Sequence, residues 1–372
     1  RVNGGTLDLR SGTALPSNLT LRVLNGAKIK IKAGVTNTID KLFLDGEQQA
    51  SGTWGMTGSG ADNISDAFFS GGGILNVTSA PTVAYADALW DGGGTDASMS
   101  IATNWFDDVL PAFGGTARAI FAAGGNMATV DAPVGFVKMT FNANTNFTVA
   151  AGSGVITNGA GGLIAAVPNT TSRTYTLAED LVFDDHQVWS LTNNGAGTTT
   201  LNVTGALTDG GKAYNLTKRG NGVLILSGNN SYSGKTTVQT NGYLIIRHAN
   251  ALGSTTGFTD LEDGGYLCIE GGLGLTVAEP ITMTGEASLG YQGNLRSNAG
   301  TNTLTGRITA NGARLRTNNS GCLEVTGGVN GYGLTCTAVA GTYIRFTEKP
   351  ITASSFTCHT YGGSVILAIA GN

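Results

Sequence analysis

Large aliphatic residues return in pairs, two positions apart, each pair just behind a small residue. Gly222 precedes Leu224 and Leu226, Gly242 precedes Leu244 and Ile246, and Gly265 precedes Leu267 and Ile269. Ala287 then precedes Leu289 and Tyr291, Gly321 precedes Leu323 and Val325, and Gly363 precedes Val365 and Leu367. Several intervals between these starts are 20 to 23 residues. Self-similarity at such a period marks an architecture in which each unit stacks on the last. A Leu-x-Leu alternation puts both side chains on one face of a strand. Parallel stacking then superposes those faces into one interior column. The expected fold is all-β, a right-handed parallel β-helix. At ~4.8 Å per turn, ~16 turns make a rod on the order of 75 Å long. The glycine before each strand is assigned the positive φ of the corner. The period becomes irregular around Arg314, Arg316 and Gly341, where a bulge or longer loop is expected. A sandwich needs strands every 8–12 residues joined by hairpins, and the longer period favours the solenoid.

Composition narrows the function classes. Of 372 residues 58 are glycine, 41% are hydrophobic and only 12% are charged. A disordered glycine-rich tract would combine low hydrophobicity with high net charge, so this chain has a core to bury. Its net charge is −4 with no basic stripe, which argues against nucleic acid. Apolar runs such as Val223–Leu226 and Val365–Ala370 have strand length, and none reaches the ~18 residues of a membrane helix. Arg1 is preceded by no methionine and no leader pattern. The expectation is that a leader was removed or that the sequence is a segment of a longer protein.

The stretch Gly220-Asn-Gly-Val-Leu-Ile-Leu-Ser-Gly-Asn-Asn-Ser-Tyr-Ser-Gly-Lys-Thr-Thr-Val238 is followed by Asn241-Gly242-Tyr243-Leu244 and Ala251-Leu252-Gly253-Ser254. It resembles the autotransporter-associated β-strand repeat, also called the passenger-associated transport repeat. Two other segments look like flanking parts of large surface proteins carrying that repeat. Leu89-Trp90-Asp91-Gly92-Gly93-Gly94 with Asn104-Trp105 and Asp107–Pro111 resembles an opening. Ile39–Ser79, with Leu44-Asp45-Gly46, Gly52-Thr53-Trp54-Gly55 and Gly73-Ile74-Leu75, resembles a closing segment. The likeness covers about residues 1–254. It implies a secreted, extracellular or cell-surface bacterial β-helix with no catalytic residues to carry over. No C-terminal series of ~10-residue amphipathic strands suggests a membrane barrel.

A closing segment therefore stands before an opening one. The chain divides into 1–79, a terminal segment, and 80–372, the main solenoid. Two readings of 1–79 stand side by side: it caps the open end of a neighbouring copy, building a head-to-tail filament, or it belongs to a fragment of a long array.

Because β-helices also host polysaccharide lyases and hydrolases, clustered carboxylates matter. Asp107-Asp108, Asp184-Asp185-His186 and Glu262-Asp263 are the candidates. Neighbours on a strand point apart, whereas Asp184 and His186 would share a face. An exposed turn is the preferred reading of each. With three histidines (His186, His248, His359) and no Gly-x-Ser-x-Gly, a nucleophilic triad has no local signal. Gly159–Gly162 and Gly220–Gly222 lack the Lys-Ser/Thr of a phosphate loop, and Gly92-Gly93-Gly94-Thr95-Asp96 approximates a calcium nonapeptide only once. Cys268, Cys322, Cys336 and Cys358 lack metal-ligand spacing. They read as small buried side chains, with one or two disulfides as the alternative in an oxidising compartment. No catalytic, cofactor or metal residue is assigned, and the chain is expected not to be an enzyme. Trp54, Trp90, Trp105 and Trp189 read as core or cap residues before a sugar-stacking strip. Nine sequons, at Asn18, Asn63, Asn76, Asn146, Asn169, Asn202, Asn215, Asn229 and Asn318, allow a glycan coat. The function read from the sequence is a structural subunit of an extracellular fibre or surface layer. The alternatives are an adhesin binding host or matrix glycans and a carbohydrate-active β-helix.

Overall fold

A computed structural model describes every residue except 3, 25, 82–84, 123–124, 271, 273, 286–292 and 369–372. The expected pair Leu289 and Tyr291, with Ala287 before it, lies outside the described residues. The chain is all-β, about 16 turns of parallel β-solenoid. In residues 80–372 each full turn visits three faces. One face runs from Ala86–Trp90 through Gly114–Phe121 and Leu216–Arg219 to Ile281–Thr284. The second carries Thr199–Val203, Val223–Leu226, Tyr243–Ile246, Tyr266–Ile269 and Leu295–Ser297. The third ends in Cys322–Val325, Tyr343–Thr347 and Ser364–Ala368.

On the second face the Leu-x-Leu alternation becomes an interior column. Leu201, Leu224, Leu244, Leu267, Leu295, Leu315, Cys336 and Cys358 are successive register partners. From Leu201 to Cys336 they are fully buried. Towards the other end aromatic rings fill the tube: Phe121 stacks on Phe141 at 5.0 Å and Phe141 on Tyr175 at 5.7 Å. The irregularity anticipated near Arg314 is a register shift between Ala310 and Ala313.

The corner glycines work differently from the expectation. Positive φ belongs to the residue before the pre-strand glycine, as at Asn241 (62°) and Gly264 (78°). The glycine itself is needed because backbone passes too close for a side chain, from its own corner at Gly242 and from the previous turn at Gly265. A Cβ on Gly242 would stand 2.7 Å from the Gln239 carbonyl oxygen, and one on Gly265 would drive into that of Val238.

Residues 1–79 form a smaller solenoid with its own core around Leu21, Ile29, Leu42 and Leu75. Thr6–Leu9 pairs in parallel with Lys28–Ile31, and Thr20–Val23 with Lys41–Leu44. The ladder then reverses: Gly52–Gly55 runs antiparallel to Ile74–Val77. Gly52–Gly55 pairs in turn with Asn63–Ile64, so this edge of the parallel stack is covered by an antiparallel layer. Among the described residues, no strand of 1–79 pairs with one of 80–372.

Candidate functional site

The small unit lies against the outer side of the first face of the main solenoid. Its Arg1 and Arg22 reach Asp185 at 3.3 and 3.6 Å, Asp45 faces Lys138 at 3.6 Å, and Glu47 meets Arg118 at 2.8 Å. Arg118 also holds Asp87 at 2.6 Å. Between these ion pairs the Asp45-Gly46 turn sits directly on the Ala160-Gly161 backbone, with Gly46 at φ 90°. The glycine run 159–162 that superficially resembles a phosphate loop is thus the seat of this contact. Replacing Gly46 by Ala drives a Cβ into that backbone and strains a left-handed residue. The expected result is loss of docking while both cores stay folded. Limited proteolysis across residues 80–85 would show faster cleavage and an unchanged circular dichroism spectrum.

The opening segment forms a cap on the first turn. Asn104, fully buried, takes the Gly94 N–H on Oδ1 and gives Nδ2 to the carbonyls of Asp96 and Ser98, each at 2.8 Å. Trp105 donates Nε1 to the Met99 carbonyl at 2.8 Å and packs edge-on to Trp90 at 5.2 Å. The calcium-like Gly92–Asp96 stretch is held by this amide. Phe106, Val109 and Leu110 stand 59%, 63% and 45% exposed on the outer side of the cap.

The candidate acids lie on different turns. Asp107 and Asp108 are exposed in the cap, both at positive φ. Asp184 and His186 do not share a strand face, because residues 184–186 lie between two strands, with a bend at 184–185. Asp185 is committed to the two arginines. His186 accepts the Asn215 N–H on Nδ1 at 2.9 Å, and burial, then the Arg1 charge, pulls its pKa below the ordinary value. Glu262 and Asp263 follow the strand Thr259–Leu261, where the Asp263 carbonyl accepts the Thr240 hydroxyl. All four thiols are free. Cys268 and Cys336 are buried as read, whereas Cys322 is half-buried and Cys358 exposed, because Cys358 lies on the last turn of the column. Burial pushes the Cys268 thiol up to about 12. Trp90, Trp105 and Trp189 are fully buried and Trp54 nearly so.

The most ordered polar corner is in residues 216–234. Lys218, fully buried, donates Nζ to the carbonyls of Arg219 and Gly220 at 2.7 Å each, and burial draws its pKa down to about 7. Asn230 bridges three turns: Oδ1 accepts the Leu207 N–H at 2.9 Å and Nδ2 donates to the Ala251 carbonyl at 2.6 Å. Tyr232 is fully buried, 5.5 Å from Phe183, with its hydroxyl 2.6 Å from Thr236 Oγ1. Asn230 thus ties its own turn to those before and after it, whereas Lys218 and Tyr232 are satisfied within their own turn. Residues 216–246 match the family model for the passenger-associated-transport-repeat. The chain carries a passenger-associated transport repeat. No curated protein and no solved structure matches it. This repeat on a β-solenoid fits a secreted autotransporter passenger domain, a class that is secreted or surface-exposed. No helix among the described residues is long and apolar enough to cross a membrane.

Within the transport repeat Lys218 lacked a sequence signal, since a lysine in a strand reads as solvated. Its signal was positional: two residues after Leu216, it falls on the inward face. Truncating Asn230 to Ala leaves a buried N–H and a buried carbonyl unmatched. The expected cost is about 2 kcal/mol, read as a lower denaturation midpoint with unchanged m-value.

Proposed function

We propose that this chain is a non-catalytic structural subunit of an extracellular fibre or surface layer, stacked head to tail with the last turn of one copy against the capped first turn of the next. One observation carries the reading. Among the described residues the inward column is fully buried at Ile344 and Phe346, whereas their register partners one turn later are more exposed. Val365 is half-buried and Leu367 is 58% exposed, although both point inward. Phe356–Tyr361 beside them carries inward Cys358, also exposed. A further turn laid on this edge would satisfy the strand's outward backbone groups and bury the column's last side chains. At the opposite end of the main solenoid the cap presents Phe106, Val109 and Leu110, an apolar surface of the kind such a contact needs.

The separation of the carboxylates supports the non-enzymatic reading against a carbohydrate-active one, since lyase or hydrolase chemistry needs them converging on one groove. An adhesin built on tryptophan stacking gains nothing from four buried indoles. Electron microscopy of the purified chain at rising concentration tests the proposal. End-to-end filaments are expected, and Leu367→Lys, at an exposed position, should abolish them without lowering the Tm. A wild-type chain that stays monomeric at high concentration would sink the reading.

A further inference from the structure

The outer side of the second face carries an uncharged groove. Val223, Tyr243 and Tyr266 are register partners on successive turns. With Asn193, Thr198, Asn221 and Asn241 they line a groove of about 520 Å³. It crosses four turns, from Thr199–Val203 to Tyr266–Ile269, which is three steps and so ~14 Å along the axis.

One wall is aromatic and fixed. Tyr266 is 3% exposed and supports half-buried Tyr243, with ring centroids 6.0 Å apart. The Arg296 guanidinium lies 5.2 Å over Tyr243 and 5.8 Å over Tyr266, and its Nη2 donates to the Tyr243 hydroxyl at 2.8 Å. The platform is therefore rigid before anything binds, which lowers the entropic cost of binding. The other wall is a row of corner amides. Asn193 is used internally: Oδ1 accepts the Thr199 N–H and Nδ2 donates to the Asn221 carbonyl. Asn221 accepts the Asn193 N–H on Oδ1 at 2.9 Å, which leaves its NH₂ available. Among the described residues, the Asn241 amide and the Thr198 hydroxyl have no protein partner.

No Asp, Glu, Lys or Arg lines this groove, in contrast to the cleft beneath residues 1–79, which Arg219 and Glu262 line. The nearest charge is the Arg296 guanidinium, which is engaged with the two tyrosine rings and the Tyr243 hydroxyl. A half-exposed ring beside amide donors and a hydroxyl, repeated at the turn spacing, matches a ligand with apolar C–H faces and many hydroxyl groups. We infer that this groove binds a neutral polysaccharide lying along the solenoid axis, with Tyr243 as stacking platform and Asn221 and Asn241 as hydrogen-bonding partners. The inference does not depend on the assembly reading, since the groove lies on the side of the solenoid and not at its ends.

Native gels of the intact chain cast with dissolved dextran, laminarin or galactomannan test it, with alginate as an acidic control. At least one neutral polymer should retard the protein and alginate should not. Tyr243→Ala should weaken retardation at least tenfold and Asn221→Ala about threefold, whereas Tyr243→Phe keeps the ring and should bind. If Tyr243→Ala loses its fold by circular dichroism, Asn241→Asp, at an exposed corner, takes its place and should weaken binding similarly. Absence of retardation by every neutral polymer overturns the inference, as does equal retardation of wild type and the folded groove variants.

Discussion

Leu244→Ala is expected to lower the unfolding free energy by about 3–4 kcal/mol, near the upper part of the range for burying a leucine in a packed core. Leu244 is fully buried and stands in register between Leu224 and Leu267, themselves fully buried. Truncation opens a void that its neighbours cannot fill, because each is held by its own strand pairing. The solenoid geometry makes the effect more than a loss of area. A stack in which each turn touches only the next has stability close to a sum of turn terms and nearest-neighbour interfaces. Weakening a central interface therefore uncouples the two sides. Guanidinium unfolding should broaden or split into two transitions, and hydrogen exchange should rise first around residues 243–246. Ile245→Ala gives the contrast. Ile245 is 7% exposed and packs on the outside against Ile225 and Cys268, so its loss should cost less and leave one transition. Equal costs and equal cooperativity for the two variants would contradict an interior column that couples the turns.

That column was readable because strand periodicity and the turn period are both local patterns, and register partners such as Leu224 and Leu244 sit one period apart. The corner glycines were readable as corners but not as close approaches. Gly242 is set by the Gln239 carbonyl of its own corner, and Gly265 by the backbone of the turn beneath, which no local window contains. For the same reason the docking of Gly46 on Ala160-Gly161 could not be found: neither turn has a pattern that names the other. The tyrosine groove was missed because Tyr243 and Tyr266 occupy outward positions beside inward leucines, and the reading followed the leucines. The antiparallel pairing of Gly52–Gly55 with Ile74–Val77 in residues 1–79 is likewise a reversal that composition does not announce.

The second large effect is on pH dependence. Two turns share a corner sequence, Leu177-Ala178-Glu179-Asp180-Leu181 and Val277-Ala278-Glu279-Pro280-Ile281. At the first, the Glu179 carboxylate accepts the Asp180 N–H at 2.9 Å and the Gly152 N–H at 2.8 Å. At the second, Pro280 has no N–H to offer. Glu279 is 4% exposed, and neither carboxyl oxygen has a partner among the described residues. Burial raises its pKa from 4.5 to about 8, so at neutral pH the folded chain holds the proton that the unfolded chain releases. The folded state then binds more protons than the unfolded between those two values, and stability falls as pH rises through that window. At 1.36 kcal/mol per pKa unit, the loss approaches about 5 kcal/mol by pH 9. Glu279→Gln keeps the shape without a proton to lose. The variant should match wild type near pH 4.5 and exceed it increasingly towards pH 9, in denaturant titrations at each pH. Pro280→Ala restores an N–H at the position where Asp180 supplies one to Glu179, and should lower the Glu279 pKa and flatten the wild-type slope part-way. A Glu279→Gln variant with the same alkaline loss as wild type would place the titrating group elsewhere and leave the buried carboxyl without consequence.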